Sequence, residues 1–129
     1  MTIKGSGGGV YAKADGAIVC RNNIIWGNTA TTTADNDINV AQAAKFSYTC
    51  ASGLTEAVNG NKTSDPLFKD GGYALTSSSP CVNAGSSQSW MNIATDLAGN
   101  DRVYGSTVDM GAYEQQTDAA TLFILASVD

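Results

Sequence analysis

Histidine is absent from this 129-residue chain, and there are only two prolines and three cysteines. With no His and no CxxC pair among Cys20, Cys50 and Cys81, zinc sites of the usual Cys/His kind are excluded. Charge is scarce too, at 15% of residues against roughly 25% in an average domain. The seven Lys and Arg are scattered and the net charge is −5, so the clustered cations that displace counterions from nucleic acid are missing. The same deficit disfavours anionic membrane surfaces. Long apolar runs are lacking: the longest, Thr121–Val128, is far too short to span a bilayer. Met1 is followed at once by polar, Gly-rich sequence, so no signal peptide precedes the first strand-like segment.

What is present points to one folded β domain. Hydrophobic residues reach 43%, which argues against disorder, and 129 residues suffice to bury a core. Fourteen glycines with abundant Asn, Ser, Thr and Ala suit short strands joined by tight turns. The opening GSGGGVY is a corner where backbones approach closely. No GK[ST] follows it, and no helix is signalled behind it, so a phosphate loop is not indicated. Two short β-rich runs, Ala17–Cys20 and Ile24–Trp26, flank Arg21-Asn22-Asn23. Asn tolerates left-handed backbone, which marks Asn22, Asn23 and Asn28 as corner residues; together with Asn83 they either form corner ladders or sit in solvent-facing turns.

Further apolar groups arrive at Asp37–Val40, Phe46–Thr49, Leu67-Phe68, Tyr73–Leu75 and Pro80–Ala84. Asp65 is expected to cap a turn while Leu67 and Phe68 enter the core. Strands this short make no independent sheet, but they serve as sides of a coil that stacks on the next. The spacing suggests a coil of roughly 20–30 residues, and no sustained helical period occurs. A β-sandwich of short strands shares these local signals.

The ordered series DPLF (65–68), SPCVNAG (79–85), DLAGNDR (96–102) and VDMGAYE (108–114) resembles the carboxy-terminal end of bacterial right-handed parallel β-helix repeat proteins. These are secreted or surface proteins of the pectate-lyase-like superfamily. The likeness spans about Gly7 to Glu114. It implies an all-β chain: a short right-handed parallel β-helix of about three to five coils over residues 1–94, a C-terminal cap at 95–114, and a tail at 115–129. It also implies an extracellular or bacterial cell-surface address, with the present chain a piece of a longer protein. The tail residues Leu122, Phe123, Ile124 and Leu125 are candidates for an assembly strand. Added to a neighbour's open edge, they would build head-to-tail contacts between copies.

Asp96, Asp101, Arg102, Asp109 and Glu114 form the one dense charge constellation. Read as chemistry, two carboxylates serve glycoside hydrolysis, or Arg102 serves as the base of a lyase beside acids that bind calcium, with Asp96 and Asp101 as the calcium candidates. Read as structure, Asp96, Arg102, Asp109 and Glu114 are the cap: Arg102 pairs with Asp109 or Glu114, while Asp96 and Asn100 close a turn. The structural reading is adopted, with no catalytic residue and no obligatory cofactor. Trp26, Trp90, Tyr11, Tyr48, Tyr73, Tyr104 and Tyr113 either plug core ends and loops or stack on glycans. Cys50 and Cys81 lie about one long coil apart, so stacking would bring them within disulfide reach, and three buried thiols is the alternative. The expected role is a non-catalytic extracellular scaffold, adhesin or self-assembling unit. The alternatives are a fragment of a polysaccharide lyase or hydrolase and a carbohydrate-binding module.

Overall fold

The computed structural model describes residues 8–12, 18–31, 36–40 and 45–116. The expected assembly strand at Leu122, Phe123, Ile124 and Leu125 lies outside the described residues. Strands form where β-branched and aromatic residues sit between turn formers: β1 (Val10–Ala12), β2 (Cys20–Arg21), β3 (Ile24–Ile25), β4 (Ile38–Val40), β5 (Phe46–Ser47) and β6 (Cys50–Ala51). They make three pairs, β1–β4, β2–β5 and β3–β6, and every pair is parallel. A parallel pair cannot be closed by a tight turn, so the chain travels round between partners. Val10 meets Ile38, Cys20 meets Phe46 and Ile24 meets Cys50. Arg21 and its partner Ser47 are 26 residues apart.

The register explains the core. Each parallel pair sends one set of partners into the same apolar cluster: Val10 with Ile38, Cys20 with Phe46, and Ile25 with Ala51. Ile18 and Leu54 complete it. Three pairs thus face one interior. Phe46 is fully buried there, and burial of such a side chain contributes about 1.5–3 kcal/mol.

Because side chains alternate along a strand, the neighbours of Ile25 and Ala51 point the other way. Ile24 and Cys50 belong to a second cluster with Leu75, Cys81 and Met110, flanked by Trp26, Phe68, Val82 and Ala84. The β3–β6 pair is therefore covered on both faces. The second cover comes from chain beyond residue 66, laid across the flank.

The corners match as well. Asn22 between β2 and β3 and Tyr48 between β5 and β6 both have positive φ, 60° and 48°. They occupy equivalent positions in the two layers. Left-handed backbone is mild for Asn and costs about 1–2 kcal/mol for a residue such as Tyr. Gly60, itself at φ +73°, leaves the space that the Tyr48 ring fills.

Beyond Ala51 the pattern changes. Lys62 bridges Cys50 in parallel, after which the isolated bridges, Phe68–Leu75 and Thr95–Asp101, are antiparallel. The strands expected at Leu67-Phe68 and Tyr73–Leu75 are thus two sides of one tight loop, and Pro80–Ala84 is a turn. Leu67 does not enter the core: it is 41% exposed with φ 53°. The reason is local, since the Asp65 carboxylate accepts the Leu67 N–H at 2.8 Å and turns the chain there. Pro66 is buried in its place. Among the described residues there is no α-helix; 3-10 turns include those at Val58–Gly60 and Ser89–Ile93. No helix there is long and apolar enough to cross a membrane.

Candidate functional site

The densest charged cluster is assembled by two pieces of chain. The first is the loop 94–102, pinned by Arg102 N–H to the Ala94 carbonyl (3.0 Å) and Asp96 N–H to the Asn100 carbonyl (2.7 Å). Gly99, at φ +88°, supplies its turn. The second is the segment 108–114, which bends at Gly111 (φ +94°). Leu97 N–H to the Ala112 carbonyl (3.0 Å) joins the two.

Arg102 and Glu114 make the ion pair, with Nη1 and Oε2 at 2.8 Å and both side chains nearly or wholly buried. Arg102 meets Asp109 through that residue's backbone carbonyl (3.3 Å) and also donates to the Gly111 carbonyl (2.8 Å). Glu114 Oε1 accepts the Tyr104 N–H at 2.9 Å, and its Oε2 also accepts the Asp109 N–H at 3.0 Å. Asp96 Oδ1 accepts the N–H groups of Ala98 and Asn100, both at 2.9 Å, and Oδ2 accepts that of Glu114 at 2.9 Å. Asp109 accepts Asn83 N–H on one oxygen and Gln115 N–H on the other, both at 2.6 Å. Every carboxylate oxygen of the three acids is occupied by the protein itself.

Electrostatics differ within the cluster. Burial pushes the Asp109 carboxyl above its usual value, against the N–H groups of Asn83 and Gln115 and the Arg102 charge. Burial likewise raises Glu114, although the amides of Asp109 and Tyr104 oppose it. At Asp96 burial is the largest single influence and acts upward. The amides of Glu114, Asn100 and Ala98 together outweigh it and hold the carboxyl below its usual range.

The structure therefore brings Asp96, Arg102, Asp109 and Glu114 together, whereas Asp101 is exposed on the bridge to Thr95. Among the described residues, no group of three His, Cys, Asp or Glu could hold a metal ion. The cluster lies against the flank of the strands, since Gly111 N–H donates to the Asn22 carbonyl (2.8 Å) and Met110 N–H to that of Cys81 (3.0 Å).

The three cysteines are free thiols. Cys50 and Cys81, the expected disulfide partners, stand as thiols, both fully buried in one cluster. The aromatics divide. Trp26 packs half-buried against the second cluster, while Trp90 and Tyr73 are 60% and 74% exposed. Phe68 and Tyr73 meet edge to face at 5.6 Å and line a cavity of about 240 Å³ with Ile24, Leu97, Gly111 and Tyr113.

Two polar braces escape the sequence reading. Asp37 is buried, taking Asn28 N–H on Oδ1 (3.0 Å) and the Ser52 hydroxyl on Oδ2 (2.6 Å). Asn61 is buried beside the Tyr48 corner, donating to the Phe46 carbonyl and accepting Thr49 N–H. The signal available was weak: an Asp or Asn among turn residues does not reveal a distant partner. Scans against protein-family models, curated proteins and solved structures return no match.

Proposed function

We propose that this chain is the closing part of a short right-handed parallel β-helix, acting outside the cell or on a bacterial surface as a non-catalytic structural or interaction module. Three parallel pairs around one interior support the coil, and crossovers between parallel strands are right-handed in nearly all folds. The observation that carries the role is the saturation of the acidic cluster. A glycosidase needs one carboxyl free to protonate the leaving oxygen and another facing water or the sugar. Here Asp96, Asp109 and Glu114 spend their oxygens on backbone amides and Arg102, so the cluster works as a clasp. The partner proposed is a second copy, docked head to tail on open strand edges.

Incubation with a panel of polysaccharides, read by reducing and unsaturated sugar ends, is expected to match the blank. Turnover that disappears in Arg102→Gln without a change in melting would overturn the proposal. Electron microscopy of the purified protein tests the partner: filaments or stacked particles are expected, and monodisperse single particles at high concentration count against it.

A carbohydrate-binding reading rests on the aromatic hollow around Phe68 and Tyr73. Glycan-array binding abolished by Tyr73→Ala would favour it.

A further inference from the structure

Cys50 and Cys81 come from separate parts of the fold and meet in one cluster. Cys50 lies on β6, its backbone N–H held by the Asn23 carbonyl at 2.9 Å and its thiol at 3.3 Å from the Ser64 carbonyl. Cys81 sits in the turn of the flanking segment, its N–H on Ser79 Oγ (3.1 Å) and its carbonyl on Met110 N–H (3.0 Å). Both side chains are wholly shielded, in one cluster with Leu75 and Met110. Two thiols with anchored backbones, wholly buried in the same cluster, are placed for joining. The third thiol does not compete: Cys20 packs in the other cluster, across the β3–β6 pair.

We propose that Cys50 and Cys81 are an oxidation site, forming a disulfide that staples the flanking segment to the strand core when the chain folds in an oxidising compartment. The co-reactant is a small disulfide, RSSR. The Cys81 thiolate attacks one of its sulfurs, which makes a mixed disulfide and releases RS⁻ to take up a proton. The Cys50 thiol gives its proton to water, attacks the Cys81 sulfur and expels the second RS⁻. Two protein thiols are oxidised and RSSR is reduced to two RSH. Full burial bars a small disulfide from the folded site, so exchange occurs before the flank settles or when it opens.

The test is refolding in a glutathione redox buffer and, separately, in excess reductant. Both samples are then denatured for thiol titration and for peptide mapping without reduction. The oxidised sample is expected to keep one thiol, that of Cys20, out of three, to show a peptide linking Cys50 with Cys81, and to unfold at a higher urea midpoint. Cys20→Ser is expected to leave the link and the midpoint shift intact, and Cys81→Ala to remove both. Three free thiols after oxidative refolding, or a link through Cys20, would sink the proposal. The map is made on the unaltered chain, so it decides the matter even where a variant fails to fold. It also does so whatever the sugar assays and microscopy return.

Discussion

Asn22 and Ser86, 64 residues apart, exchange two hydrogen bonds as if both were backbone: Asn22 Nδ2 to the Ser86 carbonyl at 2.9 Å, and Ser86 N–H to Asn22 Oδ1 at 2.7 Å. One side chain thus does two jobs. It closes a left-handed corner between β2 and β3, and it ties the flanking segment to the first layer of strands.

Substitution separates the jobs. Asn22→Gly keeps the corner relaxed and loses only the two bonds, at about 1–3 kcal/mol. Asn22→Ala adds left-handed strain of about 1 kcal/mol. Urea denaturation is expected to rank them wild type, Gly, Ala in falling stability. Equal midpoints for all three would show that the pair contributes nothing.

The Arg102–Glu114 pair is buried, so losing one partner strands the other. Arg102→Ala is expected to lose on the order of 3 kcal/mol, seen as an earlier denaturation midpoint. Arg102→Lys restores charge but cannot reach Glu114, Asp109 and Gly111 with one planar fork, so it is expected to recover only part. Full recovery with Lys would mean that charge alone matters.

The raised carboxyls give a pH signature of definite sign. Asp109 holds its proton more tightly folded than unfolded, so its contribution is most favourable below the usual carboxylate value. It declines as pH rises through the folded value. Glu114 acts in the same sense, and Asp96, lowered in the fold, acts in the opposite one. The stability of wild type minus that of Asp109→Asn is therefore expected to fall as pH climbs through this window and to level off above it. Removing the Asp109 charge also relieves Glu114, which adds to the same trend. A difference that grows with pH contradicts the assignment.

Gly85 tests the closeness of the flank. A Cβ there would stand 2.7 Å from the Val108 carbonyl oxygen and 3.0 Å from Asn22 Oδ1. Gly85→Ala is expected to cost about 1–3 kcal/mol by forcing backbone apart. Gly71, at φ +75° with nothing near its Cβ position, serves as the contrast: Gly71→Ala meets only backbone strain, about 1 kcal/mol. Thermal melts that order the two the other way would show a looser flank.

Residue type alone marked much of this. Asn22 was legible as a corner because Asn is among the few residues at ease with positive φ, and it has it, whereas Asn23 and Asn28, marked by the same preference, do not. Tyr48 fills the equivalent corner one layer on and carried no such mark, since its conformation is imposed by the layer below. Asp65 was readable as a turn residue, because its hydrogen bond reaches only two positions along the chain. Asp37 and Asn61 were not, because their partners lie 9 to 15 residues away.

The sequence by itself determined a β chain of short runs and corners, and it gathered Asp96, Arg102, Asp109 and Glu114 within twenty residues. Local backbone preference and proximity along the chain suffice for that. Which carboxylate takes the guanidinium, which cysteines meet, and that the acidic-glycine segment lies on a flank were decided by packing. The cause is the strand's two-residue alternation. It turned Ile25 and Ala51 inward and left Ile24 and Cys50 as an apolar outer face that only distant chain could cover.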